Sequence, residues 1–297
     1  MRLGLDLGGT KIAGVVLDRA GSVVFEERVA TPRHDYDATV GALMGLIGQG
    51  ERVAGTRCSV GIGIPGAVSP ASGLIKNANS TWLNGRPLQR DLERALGREV
   101  RLANDANCLA VSEATDGAAS GAAVVFGVIL GTGTGGGLVV DGRVLTGSNA
   151  IAGEWGHNPL PWPDDEEQPG PLCYCGRIGC IETFLSGPGV AADYRRRGGV
   201  ETSSEDIVVR AAGGEPLACS TLAAWTRRLA KALATVINIV DPDVIVVGGG
   251  LSRIGSIYGD VPAMWGQWVF SDVVRTRFVA SRYGDASGVR GAAWLWE

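Results

Sequence analysis

Lysine is nearly missing from this chain. Of 27 basic residues only Lys11, Lys76 and Lys231 are lysines, which fits an arginine-biased genome, although a lysine inside a glycine turn at position 11 invites a functional reading. An excess of charge of one sign is also missing, because 31 acidic residues leave a net charge of −4. That balance provides no bulk attraction to nucleic acid or to an anionic membrane surface. No apolar run approaches the ~20 residues that span a bilayer. The chain opens directly on a strand-like run, Leu3 to Leu7, with no charged and apolar leader pattern, so the expected location is the cytoplasm. Histidine is scarce, with His34 and His157 the only two. A collagen-like G-x-y period is absent as well.

Glycine, in contrast, is abundant: 46 of 297 residues, about twice the usual ~7%. It falls in short clusters between Val/Ile/Leu-rich segments, which argues for tight functional turns rather than a disordered chain. The length suits two domains, each able to bury its own core. Six cysteines form two groups. Cys58, Cys108 and Cys219 are isolated and read as small buried hydrophobes. Cys173, Cys175 and Cys180 are clustered, which in a cytosolic chain points to metal rather than a disulfide.

Hydrophobic patterning predicts strands at 3–7, 12–18, 22–29, 59–64 and 99–103, and helices at 37–49, 86–96 and 106–116. A similar order then recurs, with a strand at 123–130, a glycine turn at 131–135, and strands at 136–140 and 143–146. Residues 157–180 read as irregular, and the acidic run Asp164 to Glu167 as a solvated loop. A long helix is expected at 216–238, a buried strand at 243–247 and a closing helix near the C-terminus. GLDLGGTKIAGVVLDRAGSVV and GVILGTGTGGGLVVDGRVL share the order strand, glycine turn, strand, short turn, strand. This predicts an internal duplication, giving two related α/β domains around a cleft. The expected division is 1–117 for a smaller N-terminal domain and 118–285 for a larger one, with a helix over 286–297 packing back on the first.

Glycine turns bring backbone N–H groups close to an anion without an intervening Cβ. Gly8, Gly9, Thr10 and Lys11 form one candidate phosphate cradle, and Gly131, Thr132, Gly133, Thr134, Gly135 and Gly136 the other. Asp6, at the end of the first strand, is placed to hold Mg²⁺ through water. Neither turn is a Walker loop or a Rossmann fingerprint, since the spacing fails the first and strands rather than helices follow. Read alone, each is also compatible with an ordinary hairpin. Gly248, Gly249 and Gly250 follow a buried strand, open a candidate helix and would suit the base and ribose of a nucleotide. Asp105 follows a strand at a helix start, where a carboxylate serves either as a cap or as a general base.

Six ordered motifs, D-L-G-G-T-K, G-I-G-I-P-G, L-A-N-D-A-N, G-E-W-G-H, C-Y-C-G-R-I-G-C-I-E and D-P-D-V-I-V-V-G-G-G, resemble those of ROK-family sugar kinases over nearly the whole chain. The resemblance implies an α/β chain of two ribonuclease-H-like domains in the actin/hexokinase ATPase fold around a central cleft. It implies ATP and Mg²⁺ as reactants, a small-molecule hexose as substrate and Asp105 as the base that deprotonates its 6-hydroxyl. Asn104, Glu154, His157 and Glu182 then become sugar contacts, with Gly66 and Asn79 in the wall of the sugar site; Gly249 and Gly250 join the nucleotide site. His157 is the plausible fourth ligand beside Cys173, Cys175 and Cys180 in a structural zinc site pinning loop 157–182. Family members are commonly dimers, so a homodimer is expected by analogy. Some members are repressors with a DNA-binding domain ahead of the kinase-like part; here the phosphate motif begins at residue 3, and Asp105 with both turns speaks against a non-catalytic sensor.

Residues 76–85 (KNANSTWLNG) most resemble the mannofructokinase branch, as do 153–162 and 284–296. The expected substrate is therefore D-fructose, and mannose besides, with Trp82 narrowing the sugar site against a 2-acetamido group. Glucokinase and N-acetylglucosamine kinase activity are the alternatives.

Overall fold

The computed structural model describes residues 1–296. The chain divides into two compact units, one made of Met1–Gly121, Gly137–Ala152 and Arg282–Glu297, the other of Ala122–Gly136 and Gly153–Ser281. The sequence division places 137–152 in the second half, whereas that segment belongs to the first unit.

In the first unit, β1 (Arg2–Leu7), β2 (Lys11–Leu17) and β3 (Val23–Ala30) form an antiparallel meander. After α1 (Tyr36–Ala54) the chain adds β4 (Ser59–Ile64) parallel to β1. A two-stranded ribbon, β5 (Ala67–Val68) and β6 (Ile75–Lys76), leads to α2 (Leu88–Leu96), β7 (Val100–Asn104) and α3 (Asp105–Thr115). The sheet order is β3-β2-β1-β4-β7. Runs of Leu, Ile and Val on β1, β2 and β4 pack against Leu43, Leu46 and Ile47 of α1. That helix starts where the Asp35 carboxylate accepts from Ala38 N at 2.9 Å and stops at left-handed Gly55.

The second sheet repeats the plan in the order β10-β9-β8-β11-β12. Its strands are β8 (Val124–Leu130), β9 (Thr134–Val140), β10 (Arg143–Val144), β11 (Val244–Gly248) and β12 (Arg277–Ala280), with β8, β11 and β12 parallel. The shared order 3-2-1-4-5 is the structural form of the duplication. Helices α4 (Ile181–Leu185), α5 (Gly187–Arg196), α6 (Ser204–Ala212), α7 (Pro216–Val240) and α8 (Ile257–Trp265) belong to the second unit. A last helix, α9 (Ser287–Ala293), returns to the first unit and buries Val289 and Ala293 against Ala13, Val15 and Leu17 of β2. It is shorter than the expected 286–297, whose final residue lies outside the described residues.

Three expectations fail. The acidic run at 164–167 is not simply solvated: Asp165–Glu167 form a short 3-10 turn and Glu167 is buried. Its carboxylate receives Arg228 Nε at 2.7 Å and Lys231 Nζ at 3.1 Å. Cys219 is exposed rather than buried, while Cys58 and Cys108 are buried as read. Gly248–Gly250 open only a 3-10 turn, Gly250–Arg253, which stops at extended Ile254 before Gly255. Among the described residues no helix is long and apolar enough to cross a membrane.

Candidate active site

In the first unit the predicted residues gather around the start of α3. Asn104 ends β7 and caps α3, its Oδ1 accepting from Ala106 N at 2.8 Å, while its Nδ2 donates to Gly66 O at 3.4 Å. The cap role left open for Asp105 therefore falls to Asn104. Asp105 occupies the first helical position, with Oδ1 2.8 Å from Ala106 N. Gly66 lies against the 76–78 segment, where a Cβ would come within 2.9 Å of Ala78 Cα. Asn84 holds Ala78 at both backbone groups, accepting from its N–H at 2.9 Å and donating to its carbonyl at 3.0 Å. This bracket leaves the next residue, Asn79, exposed. Asn84 was not foreseen as a site-building residue; the Asn-Gly pair at 84–85 was its only signal.

The β1–β2 turn is closed by Gly8 N donating to Lys11 O at 3.0 Å. Thr31 fastens it, its hydroxyl donating to Gly8 O at 2.8 Å and its N–H to Thr10 O at 3.0 Å. Gly9, Thr10 and Lys11 are exposed, as a phosphate cradle requires. Asp6, one strand position before the turn, lies near Gly63 and Gly288, which present no Cβ to its carboxylate. Burial pushes its carboxyl above the usual aspartate range, and Lys11 partly offsets this.

In the second unit the β8–β9 turn has two different sides. Gly131 and Thr132 line a cavity of about 420 Å³ together with Gly250 and residues of the α5 and α6 entries, Gly187, Pro188, Ser203, Ser204 and Glu205. The sequence reading places Gly131, Thr132 and Gly250 at a nucleotide site but missed the α5 and α6 contributions. Ser186 followed by Gly-Pro, and Ser203 followed by Glu205 and Asp206, are helix-start signals that would have found them. Thr134 faces the other way. It is buried, its Oγ1 has no hydrogen-bond partner, and its N–H donates to Glu182 Oε2 at 2.9 Å. Trp155 is a core residue, its Nε1 donating to Gly135 O at 2.9 Å and its ring meeting Phe126 edge-on. Glu154 beside it is exposed.

Loop 157–182 brings His157, Cys173, Cys175 and Cys180 together, with one ligand atom of each within 4.8 Å of the others. His157 Nδ1 is 3.6 Å from Cys173 Sγ, and Cys175 Sγ is 3.6 Å from Cys180 Sγ. A tetrahedral ion with Zn–S bonds of about 2.3 Å requires sulfur separations of about 3.8 Å, so the donor set fits. Burial pushes the Cys173 thiol up and the Cys180 thiol to about 12, so a cation is what would let three thiolates coexist there. The Arg177 backbone N–H holds the exposed Cys175 thiol below its usual value. Tyr174, unforeseen, places its hydroxyl 3.0 Å from His157 Nε2. The imidazole thus stands between the thiols on its Nδ1 side and the Tyr174 hydroxyl on its Nε2 side.

Two α/β units of identical strand order, with glycine turns at matching places, define a sugar kinase of the actin/hexokinase ATPase fold. The ROK family model matches residues 2–297, and this chain belongs to the ROK family. An N-acetyl-D-glucosamine kinase of Escherichia coli O6:H1 is 41% identical over 300 residues, covering 99% of each chain. A ROK hexokinase structure from Thermus thermophilus superposes with a TM-score of 0.88 at 32% identity, covering 99% of this chain and 97% of that one. A ROK glucokinase from Streptomyces griseus, solved with glucose and AMPPNP, gives 0.80 at 28% identity over 99% and 98%.

These comparisons correct the sugar expectation. The resemblances at 76–85, 153–162 and 284–296 pointed to mannofructokinases, whereas curated relatives 40–41% identical over 99% of this chain are N-acetyl-D-glucosamine kinases. Trp82 is held in place from its own unit. Its Nε1 donates to Thr39 Oγ1 at 3.2 Å, its ring meets His34 edge-on at 5.3 Å, and it packs on the first unit's core.

Proposed function

We propose that this chain transfers the γ-phosphoryl group of ATP to the 6-hydroxyl of N-acetyl-D-glucosamine, with Asp105 as general base. The observation that carries the chemistry is the placement of the Asp105 carboxylate at the first position of α3, beside Asn104, which caps the helix and bonds Gly66. Gly66, Asn79, Asn104, Glu154, His157 and Glu182 are the residues assigned to the sugar. Two substituents of one carboxylate or imidazole pair suit vicinal hydroxyls, which fixes the ring so that one hydroxyl reaches the base. Lys11, Thr10, Gly8 and Gly9, and Gly131 to Gly136, serve the phosphates; Gly249 and Gly250 serve the nucleoside. Mg²⁺ bound with ATP offsets charge on the phosphoryl oxygens, with Asp6 as its protein partner. His157, Cys173, Cys175 and Cys180 hold a structural Zn²⁺, which orients Glu154, His157 and Glu182 from one loop. The protein acts as a homodimer by family analogy, with no nucleic-acid partner.

The choice of sugar is supported by the 41% identical relative. The test is ADP release with N-acetylglucosamine, glucose, mannose and fructose. The expected kcat/KM for N-acetylglucosamine exceeds that for fructose by about tenfold or more, since a site built to bond an amide rejects its lack strongly. Equal or better turnover of fructose would overturn the choice.

A further inference from the structure

The β8–β9 turn is braced from outside as well as from within. Its internal hydrogen bond runs from Gly131 N to Gly133 O at 3.0 Å. Both of its ends are tied to one other segment, residues 182–187. At one end the Thr134 N–H donates to Glu182 Oε2 at 2.9 Å, and at the other Gly187 N donates to Gly131 O at 2.7 Å. Glycine at 133 is what permits this, because a Cβ there would stand 2.8 Å from Glu182 Oε2. The Thr134 hydroxyl is buried and has no hydrogen-bond partner.

We propose that Glu182 positions the donor side of the reaction as well as contacting the sugar: one carboxylate oxygen fixes the nucleotide-lining turn through Thr134 N, and the other is turned to the acceptor. This rests on the sugar-contact role given to Glu182 above. The physical argument is one of geometry and charge. A carboxylate accepting a backbone N–H makes a hydrogen bond about twice as strong as a neutral pair. Here it sets the entry into β9, two residues after Thr132, which lines the cavity. The N–H given to Glu182 is unavailable to phosphate, so Thr134 contributes to the cradle by holding its shape. Glu182 is thus a positioning residue for the nucleotide, and its loss should be felt on the ATP side even with no sugar present.

The experiment compares the wild-type protein with Glu182→Gln, Glu182→Asp and Glu182→Ala. Mg·AMPPNP binding is measured by calorimetry without sugar, bound zinc by elemental analysis, and KM for ATP and for sugar by ADP release. Glutamine keeps an acceptor oxygen at the same reach but loses the charge, so its sugar-free AMPPNP affinity should fall between those of the wild-type and alanine proteins. Aspartate is one carbon short and alanine has no acceptor; both should weaken sugar-free AMPPNP binding about five- to tenfold, the scale of one charge-assisted hydrogen bond. Zinc content should stay at the wild-type level in all of them, and the sugar KM should rise in all. A purely sugar-contacting Glu182 would leave AMPPNP affinity unchanged in the aspartate and alanine variants, which overturns the proposal. If one of those two variants fails to fold, the other decides. Wild-type protein that binds AMPPNP but phosphorylates no hexose would sink the proposed function, while the sugar-free binding series still tests the turn.

Discussion

Replacing Arg228 by methionine should destabilise the protein sharply and in a pH-dependent way. Arg228 lies on α7 with its side chain 2% exposed, between two carboxylates that are 5% and 4% exposed. It reaches Glu167 of the acidic turn at 2.7 Å and Asp193 of α5 at 2.5 Å. Methionine replaces most of the volume, so the loss is chiefly electrostatic. Removing one partner of a buried ion pair typically costs about 3–5 kcal/mol, because a charge is left uncompensated. The lower end, about 3 kcal/mol, applies here because other cations remain. Lys231 stays 3.1 Å from Glu167, and Arg196 and Arg197 stay 2.5 and 3.2 Å from Asp193.

The direction with pH follows from the carboxyls. Burial alone would raise both Glu167 and Asp193, but it is outweighed. At Glu167 the Asp164 N–H, Arg228 and Lys231 hold the carboxyl below its usual value; at Asp193 Arg228, Arg197 and Arg196 do the same. Their stabilisation is therefore complete above the ordinary values of 4.5 and 3.8 and is lost as pH falls through the depressed ones. Methionine at 228 raises both folded values, so the penalty should be greatest near neutrality and shrink on acidification. Urea unfolding followed by tryptophan fluorescence at pH 7 and near pH 4 measures this. A neutral-pH loss below about 1 kcal/mol, or one that does not shrink with acid, would refute the assignment of a buried ionic anchor.

Asp105→Asn should leave sugar binding nearly intact while lowering turnover by about 10²–10⁴-fold, read as kcat against calorimetric sugar affinity. Stripping the metal with a chelator, or making Cys180→Ser, should remove one zinc per chain and raise the sugar KM. Elemental analysis beside steady-state kinetics checks this, and full activity at zero zinc would dismiss the assigned role. Gly156→Ala would set a methyl 2.1 Å from the Thr134 carbonyl, so it should cost roughly 1–3 kcal/mol and lower kcat, as thermal melts and ADP release would show.

The strands were legible because Leu3, Leu5, Ile62, Val246 and their neighbours form short apolar runs stopped by glycine. Matching turns after β1 and β8 made the duplication visible. The four candidate metal ligands were visible as residue types at close spacing. Helices α4 to α6 were not, because they are short and begin at capping residues that also suit loops. The acidic run misled for a different reason: its partners Arg228 and Lys231 lie more than sixty residues away on α7. Charge next to charge in sequence reads as solvated unless a distant cation is known to fold onto it.

By itself the sequence determined the local shapes: glycine turns where backbone must come close to an anion, β-branched runs that pair as strands, Asn-Asp at a helix start and thiols at ligand spacing. Those depend on steric limits and hydrogen bonding within a few residues, which neighbouring side chains alone dictate. Only the tertiary structure decided which of two adjacent residues caps α3, which face of the 131–135 turn meets the cavity, and that Glu182 grips Thr134. Such choices belong to groups distant in the chain, whose desolvation and hydrogen-bond energies arise only once packing has brought them within about 3 Å.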